Sequence, residues 1–271
     1  MASTEQRHIL SLSGGKDSAA LAVYLRDRVE NMEYIFNDTG KELPETYQYL
    51  ERIGDYLGRP VTRLNAETTF DHWYDMYGGM IPSNHRRWCT KMLKLKPFEQ
   101  YVGDDPVVNY IGIRADENRK GYISHKANIT PAYPFIDDGL VLDDIKRILR
   151  DSGVGLPPYT EWGRTRSGCY FCFYQQKIEW VALLERHPDL YAKAEEYEKE
   201  FEPTGNLFTW SNGEKLSDLR KPERVAQIRA DAAKRAAQQK GRGKNLRLVD
   251  VFRREFEHDP EFEEGCLVCS V

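Results

Sequence analysis

Apolar positions in the first part of the chain fall into short runs separated by longer amphipathic stretches. His8-Ile9-Leu10-Ser11-Leu12 is a compact, mostly apolar run that reads as a buried strand. Runs at 33–37, 60–64 and 107–113 read as three more strands. The stretches at 18–29, 44–57, 70–77, 91–101 and 143–151 read as helices. Strand and helix in alternation predict an α/β fold, a parallel sheet with helices on both faces. Such sheets bind ligands at the carboxyl ends of their strands. After Cys172 the alternation stops. The segments 179–187 and 190–201 read as helices on the surface of the core, and five alanines between 230 and 237 favour another, which Gly241 and Gly243 should end. The expected organisation is one α/β domain over 1–200 and a charged, mainly helical C-terminal extension over 201–271.

The chain has 271 residues, 40% apolar and 12% aromatic, enough for a sizeable core. Its net charge of −4 excludes a protein that coats nucleic acid with its whole surface. Charge is uneven, however. Between 215 and 247 basic residues such as Arg220, Arg224, Arg229, Lys234, Arg235 and Lys240 outnumber Asp218, Glu223 and Asp231. Two readings stand for that stretch, a solvated helix face or a docking site for a polyanion such as DNA. No apolar run is long enough to span a bilayer, and the first residues lack a signal-peptide core. A cytoplasmic location without a membrane partner is expected. Five cysteines include two C-x-x-C pairs, Cys169/Cys172 and Cys266/Cys269. In a reducing cytosol such pairs serve metal binding or thiol chemistry more than disulfides.

The richest segment, Ser13-Gly14-Gly15-Lys16-Asp17-Ser18, lies between the first strand and the first helix. Glycines let a backbone approach a ligand closely, and free N–H groups with the helix dipole favour an anion. Lys16 adds a cation. Asp17 is suited to hold Mg²⁺ or to cap the helix, and Ser13 and Ser18 supply hydroxyls. The spacer and the Gly-Lys-Ser/Thr ending of a Walker loop are missing.

These six residues resemble the PP-loop of the ATP pyrophosphatases, which split ATP between the α and β phosphates and leave an adenylated intermediate. Further segments, in order, resemble the PAPS reductase-like family, whose fold is of the adenine nucleotide alpha hydrolase type. They are Asn37-Asp38-Thr39-Gly40 with Leu43-Pro44-Glu45-Thr46, Trp88-Cys89-Thr90 with Leu93-Lys94 and Pro97, Gly112-Ile113-Arg114-Ala115-Asp116-Glu117 with Arg119, Tyr133-Pro134-Phe135-Ile136, and Gly168-Cys169-Tyr170-Phe171-Cys172. The intact Lys16–Asp17 pair is similar to the ATP-using branches, and the cysteine pattern is most similar to the DndC/SspD proteins of DNA phosphorothioation.

The resemblance implies Mg²⁺-ATP across Ser13, Gly14, Gly15, Ser18, Asp38 and Thr39, with Lys16, Asp17 and Arg114 catalytic. It implies a metal set of Cys89, Cys169 and Cys172 for a 4Fe-4S cluster or zinc. The family's fourth cysteine, shortly after the C-x-x-C, has no counterpart here, and Cys266 or Cys269, with Cys269 preferred, is expected to supply the fourth thiolate. It also implies DNA, a cysteine desulfurase or other sulfur donor, and modification-system subunits as partners. Sulfonucleotide reduction and tRNA thiolation are the enzyme alternatives. A metal-bearing DNA-binding subunit with a regulatory nucleotide site is the non-enzyme one. Each residue also has a plainer reading. Asp38-Thr39-Gly40 suits an Asx-turn, and Arg114 suits an ion pair with Asp116 or Glu117. The charges His85, Arg86, Arg87 and Lys91 around Cys89 either hold a polyanion or are solvated.

Overall fold

The structure is a computed structural model that describes residues 6–65, 68–117, 126–198, 200–201, 206–211 and 213–242. These fall into two compact units, one through Tyr170 and one from Phe171.

The first unit is built on five parallel strands: β1 (Arg7–Ser11), β2 (Met32–Asp38), β3 (Val61–Asn65), β4 (Val107–Tyr110) and β5 (Ile129–Ala132). Their order is β3-β2-β1-β4-β5. The chain therefore moves outward from β1 in one direction and returns to build on its other side with β4. The crevice between the carboxyl ends of β1 and β4 is the topological switch point, where open α/β sheets bind ligands.

One face carries α1 (Lys16–Leu25) and α2 (Pro44–Leu57), with a later helix joining them. Leu10, Leu12, Tyr34 and Phe36 of the sheet pack there against Ala19, Ala22, Tyr49, Ile53, Ile145 and Leu149. Alanines on α1 let it lie close to the strands. Proline in the first turn and a left-handed Gly58 at the end bound α2, as helix chemistry requires. After α3 (Phe70–Met76), the chain forms a continuous helical rod: α4 (Trp88–Thr90), a π-helical segment (Lys91–Leu95) and α5 (Lys96–Val102). This rod covers β2 and β3, and its Leu93, Phe98 and Val102 are buried. The short α6 (Pro134–Asp137) and then α7 (Leu142–Asp151), which packs on α1, complete the layer, and a 3₁₀ turn (Pro158–Trp162) follows.

The second unit holds α8 (Lys177–Arg186), α9 (Pro188–Glu195), a two-stranded antiparallel pair β6 (Glu200–Phe201) and β7 (Asn206–Leu207), α10 (Leu216–Leu219) and α11 (Pro222–Arg242). Its core holds Trp180, Tyr191, Trp210, Leu216 and Leu219. Phe171 stacks on Trp210 at 4.7 Å. Helices α8 and α9, which the sequence reading assigns to the first 200 residues, thus pack with α10 and α11. Among the described residues no helix is long and apolar enough to cross a membrane.

Candidate nucleotide site

The six-residue loop leaves β1 and turns directly into α1. Gly14 has φ +72°, and a Cβ there would meet Thr46 Cγ2 at 2.5 Å. Gly15 is the N-cap and has no side chain with which to satisfy the first amides of α1. Those amides remain available to a ligand, under the positive end of the helix. The loop is knotted by its own hydroxyls. Ser18 Oγ accepts from the Ser13 N–H (3.1 Å) and donates to the Gly15 carbonyl (3.2 Å). Ser13 Oγ accepts from the Gly15 N–H at 3.3 Å.

Charge is arranged around Asp17. Lys16 Nζ lies 3.2 Å from one carboxylate oxygen, and Arg114 Nη1 lies 2.8 Å from the other. Arg114 arrives from the segment after β4, across the switch point, and its side chain is only 12% exposed. It also pairs with Asp116 (2.9 Å) and Glu117 (2.6 Å). Both partners named by the plainer reading are therefore present, and Asp17 is added to them. Burial pulls the Arg114 pKa down, but Asp17, Glu117 and Asp116 outweigh it and hold the pKa above its ordinary value. Gly112 permits this approach, because a Cβ there would press on the Asp17 carbonyl at 3.1 Å.

At the end of β2, Asp38 forms the Asx-turn. Its Oδ1 accepts from the Gly40 N–H (2.9 Å) and from the Tyr47 hydroxyl (2.7 Å). Thr39 is buried and donates to Glu42 Oε1 at 2.9 Å. Burial holds the Glu42 carboxyl above the usual carboxylate range, opposed by Lys94, by the Thr39 hydrogen bond and by Arg164.

Three contributors carry no local signal in the sequence. Tyr159 donates to the Gly14 carbonyl at 3.1 Å, and the Ser167 hydroxyl donates to Ser13 Oγ at 3.3 Å. Arg164, 1% exposed, ties down the loop that bears Ser167 by donating to the carbonyls of Arg166, Gly168 and Cys169. Cys169 is thereby set with Sγ 3.2 Å from Thr39 Oγ1. Thr46 does stand in a motif, but its role as the wall behind Gly14 is visible only in the fold.

The structure thus gathers Ser13, Gly14, Gly15, Lys16, Asp17, Ser18 and Arg114, with Asp38 and Thr39 at the neighbouring strand end. Cys89, Cys169 and Cys172 are half-buried thiols outside any disulfide. Among the described residues no group of three or more His, Cys, Asp or Glu is arranged to hold a metal ion. Cys266 and Cys269 lie outside the described residues, as does Arg119. A cavity of about 480 Å³ opens elsewhere in the unit, between Leu50, Gly54, Arg59, Val61 and Arg63. It lies where α2 ends and β3 begins, at the amino end of that strand. The switch point and its loop amides are therefore the better-placed site for a nucleotide.

Residues 7–137 match the phosphoadenosine phosphosulfate reductase domain. The match bears out the resemblance at the level of this family, and not of the DndC/SspD subgroup. It takes in the phosphate loop, Asp38, Thr39, Cys89 and Arg114, while Ser167 and Cys169 lie beyond it. An uncharacterized protein of Methanocaldococcus jannaschii is 27% identical over 73% of this chain and 43% of its own length. A stretch of 64 residues is 41% identical to the glutamine-hydrolysing GMP synthase of Haemophilus influenzae, covering 23% of this chain and 12% of that protein. The solved PAPS reductase of Candida auris is similar over 61% of this chain and 82% of its own, at 12% identity and a TM-score of 0.49. The chain spans less than half the length of the first curated relatives it matches.

Proposed function

We propose that this protein is an ATP pyrophosphatase that adenylates an acceptor for sulfur incorporation, with a DNA backbone phosphate as the acceptor. The observation that carries this reading is the cluster of Lys16, Asp17 and Arg114 at an uncapped helix N-terminus on the switch point. In it two cations share one carboxylate. A triphosphate entering the loop competes for both cations, which frees the Asp17 carboxylate as the group that would hold Mg²⁺. Bound there, the ion would supply charge neutralisation for the phosphates. An acceptor oxygen attacks the α-phosphorus, the bond to the β-phosphate oxygen breaks, and pyrophosphate leaves. Loop amides and Lys16 hold the charge that develops on the leaving group. The terminal persulfide sulfur of a donor such as a cysteine desulfurase then attacks the adenylated phosphorus, AMP departs, and a thiol reduces the resulting S–S bond to leave the phosphorothioate.

The family match favours a second reading, reduction of a sulfonucleotide at the same loop. Two assays on the purified chain separate them, pyrophosphate release from Mg²⁺-ATP in the presence of DNA and sulfite release from phosphoadenosine phosphosulfate with a thiol reductant. Under the first reading, Lys16→Ala and Asp17→Ala each lower pyrophosphate release by about 100-fold or more while the fold is kept. Wild-type turnover by either variant, or sulfite as the sole product, overturns it.

A further inference from the structure

We propose that the surface formed by α3, the turn behind it and the start of α4 docks single-stranded DNA. Four aromatic rings are gathered there. Phe70 lies against Trp88 with centroids 4.9 Å apart, Tyr77 stacks on Trp88 at 5.4 Å and 21°, and Trp73 flanks Tyr77 at 6.3 Å. Phe70 and Trp88 are buried, whereas Tyr77 is 39% exposed and its neighbour Met76 67%. The exposed ring is therefore backed by buried ones, which makes a stiff platform.

The charge on this segment has one sign. From 77 to 96 the chain carries Arg86, Arg87, Lys91, Lys94 and Lys96 and no carboxylate; Arg86, Lys91 and Lys96 are exposed, whereas Lys94 acts on the buried Glu42. Arg86 reaches the Met80 sulfur at 3.0 Å, and the Trp88 indole N–H donates to the Met80 carbonyl at 3.2 Å. One residue thus anchors both a cation and the ring stack. Of the acids on α3, Asp71 is paired with Lys41 at 2.8 Å and Asp75 is exposed.

Rings for bases and cations for phosphates are the chemistry of single-strand binding. A duplex hides its base faces and would use only the cations. RNA differs by a 2′-hydroxyl, and DNA is the occupant that the acceptor of the proposed function requires. Lys41, which holds Asp71, sits in the loop that closes β2 at the nucleotide site. One ion pair thus ties α3, on this surface, to the loop beside the site where the proposed reaction needs its acceptor phosphate. The choice of DNA rests on the proposed function, but the docking of a single strand does not.

Fluorescence anisotropy of the full chain with a dye-labelled oligothymidylate in rising KCl tests the proposal. Affinity should fall with salt, with a logarithmic slope of about 0.7 per contacted phosphate. Tyr77→Ala should weaken binding about tenfold, because stacking on one base is lost. Tyr77→Phe, which keeps the ring, should restore most of it. Arg86→Glu should weaken binding and flatten the salt slope. Circular dichroism at the assay temperature checks that the variants are folded, since Tyr77→Ala also removes a ring packed on Trp88. The α11 variant Lys234→Ala/Arg235→Ala should bind as wild type. Affinity unaffected by Tyr77→Ala and Arg86→Glu overturns the proposal, as does equal or tighter binding of a duplex or of oligouridylate. Binding of Mg²⁺-ATP without DNA is read separately, so failure of the nucleotide-site reading is recognised on its own.

Discussion

At Gly14 two constraints meet in one residue. Its φ of +72° is a conformation that side chains rarely adopt, and Thr46 Cγ2 fills the place of a Cβ at 2.5 Å. Gly14→Ala should therefore destabilise the first unit by about 2–4 kcal/mol, part from the left-handed backbone and part from overpacking. The two parts are separable. Thr46→Ser removes the Cγ2 methyl and keeps the hydroxyl. Placed on Gly14→Ala, it should recover the packing part and leave the conformational part. Denaturant unfolding of the single and double variants measures this, and a double variant no more stable than Gly14→Ala would show that the methyl is not the obstacle. The phosphate loop itself is legible from residue types alone, because glycine, serine and lysine do local chemistry there. Its outer wall is not legible. Ser167 meets Ser13 from 154 positions away, and Tyr159 meets Gly14 from 145. No window of sequence contains both partners.

Among the elements, four of the five strands and the two ends of α2 follow from pattern and capping. Strand β5 does not. It is four residues at a sheet edge, with Pro131 opposite Asn109, and proline is tolerated there because an edge strand has one unpaired side. The π-helical segment within the rod 88–102 is equally silent, since its apolar positions fit an ordinary helix. The basic stretch that runs from α10 into α11 is partly paired within the second unit. Arg220 pairs with Glu195, Lys221 with Asp218, Arg224 with Glu214, and Arg229 with Glu185. Of these pairs only Arg224–Glu214 is half-buried; the others are exposed and add little to stability. Glu214 is the hub, bonded to Arg224 at 2.5 Å and paired with Lys177 of α8 at 2.8 Å. The Arg224 hydrogen bond, helped by Lys177 and opposed by burial, lowers its pKa from 4.5 to about 2. A depressed carboxylate stabilises the fold above its unfolded pKa and loses that contribution as pH falls. The melting midpoint of the second unit should drop between pH 4.5 and about 2. Glu214→Gln should start lower and lose its share of that slope. Parallel curves for wild type and variant would remove Glu214 from the account.

For the molecule as a whole, the two candidate ligand positions in the first unit lie at opposite ends of the sheet. The phosphate loop sits at the carboxyl end of β1, and the cavity between α2 and β3 sits at the amino end of β3. A bound ligand adds its binding energy to the stability of the segments it touches, about 2.7 kcal/mol at a hundred times its Kd. Amide hydrogen exchange with and without Mg²⁺-ATP therefore locates it. Slowed exchange is expected at 13–18, at 112–114 after β4, and at 159–167, where Tyr159 and Ser167 back the loop. Exchange at 58–63, along the cavity, should not change. Lys16→Ala should abolish the effect, because it removes a cation that the phosphates need and leaves the sheet untouched. Protection at 58–63 in place of 13–18 would move the nucleotide to the cavity and end the assignment of Lys16, Asp17 and Arg114. Protection at 13–18 that survives Lys16→Ala would keep the site, but would transfer the phosphate contact to the loop amides and Arg114.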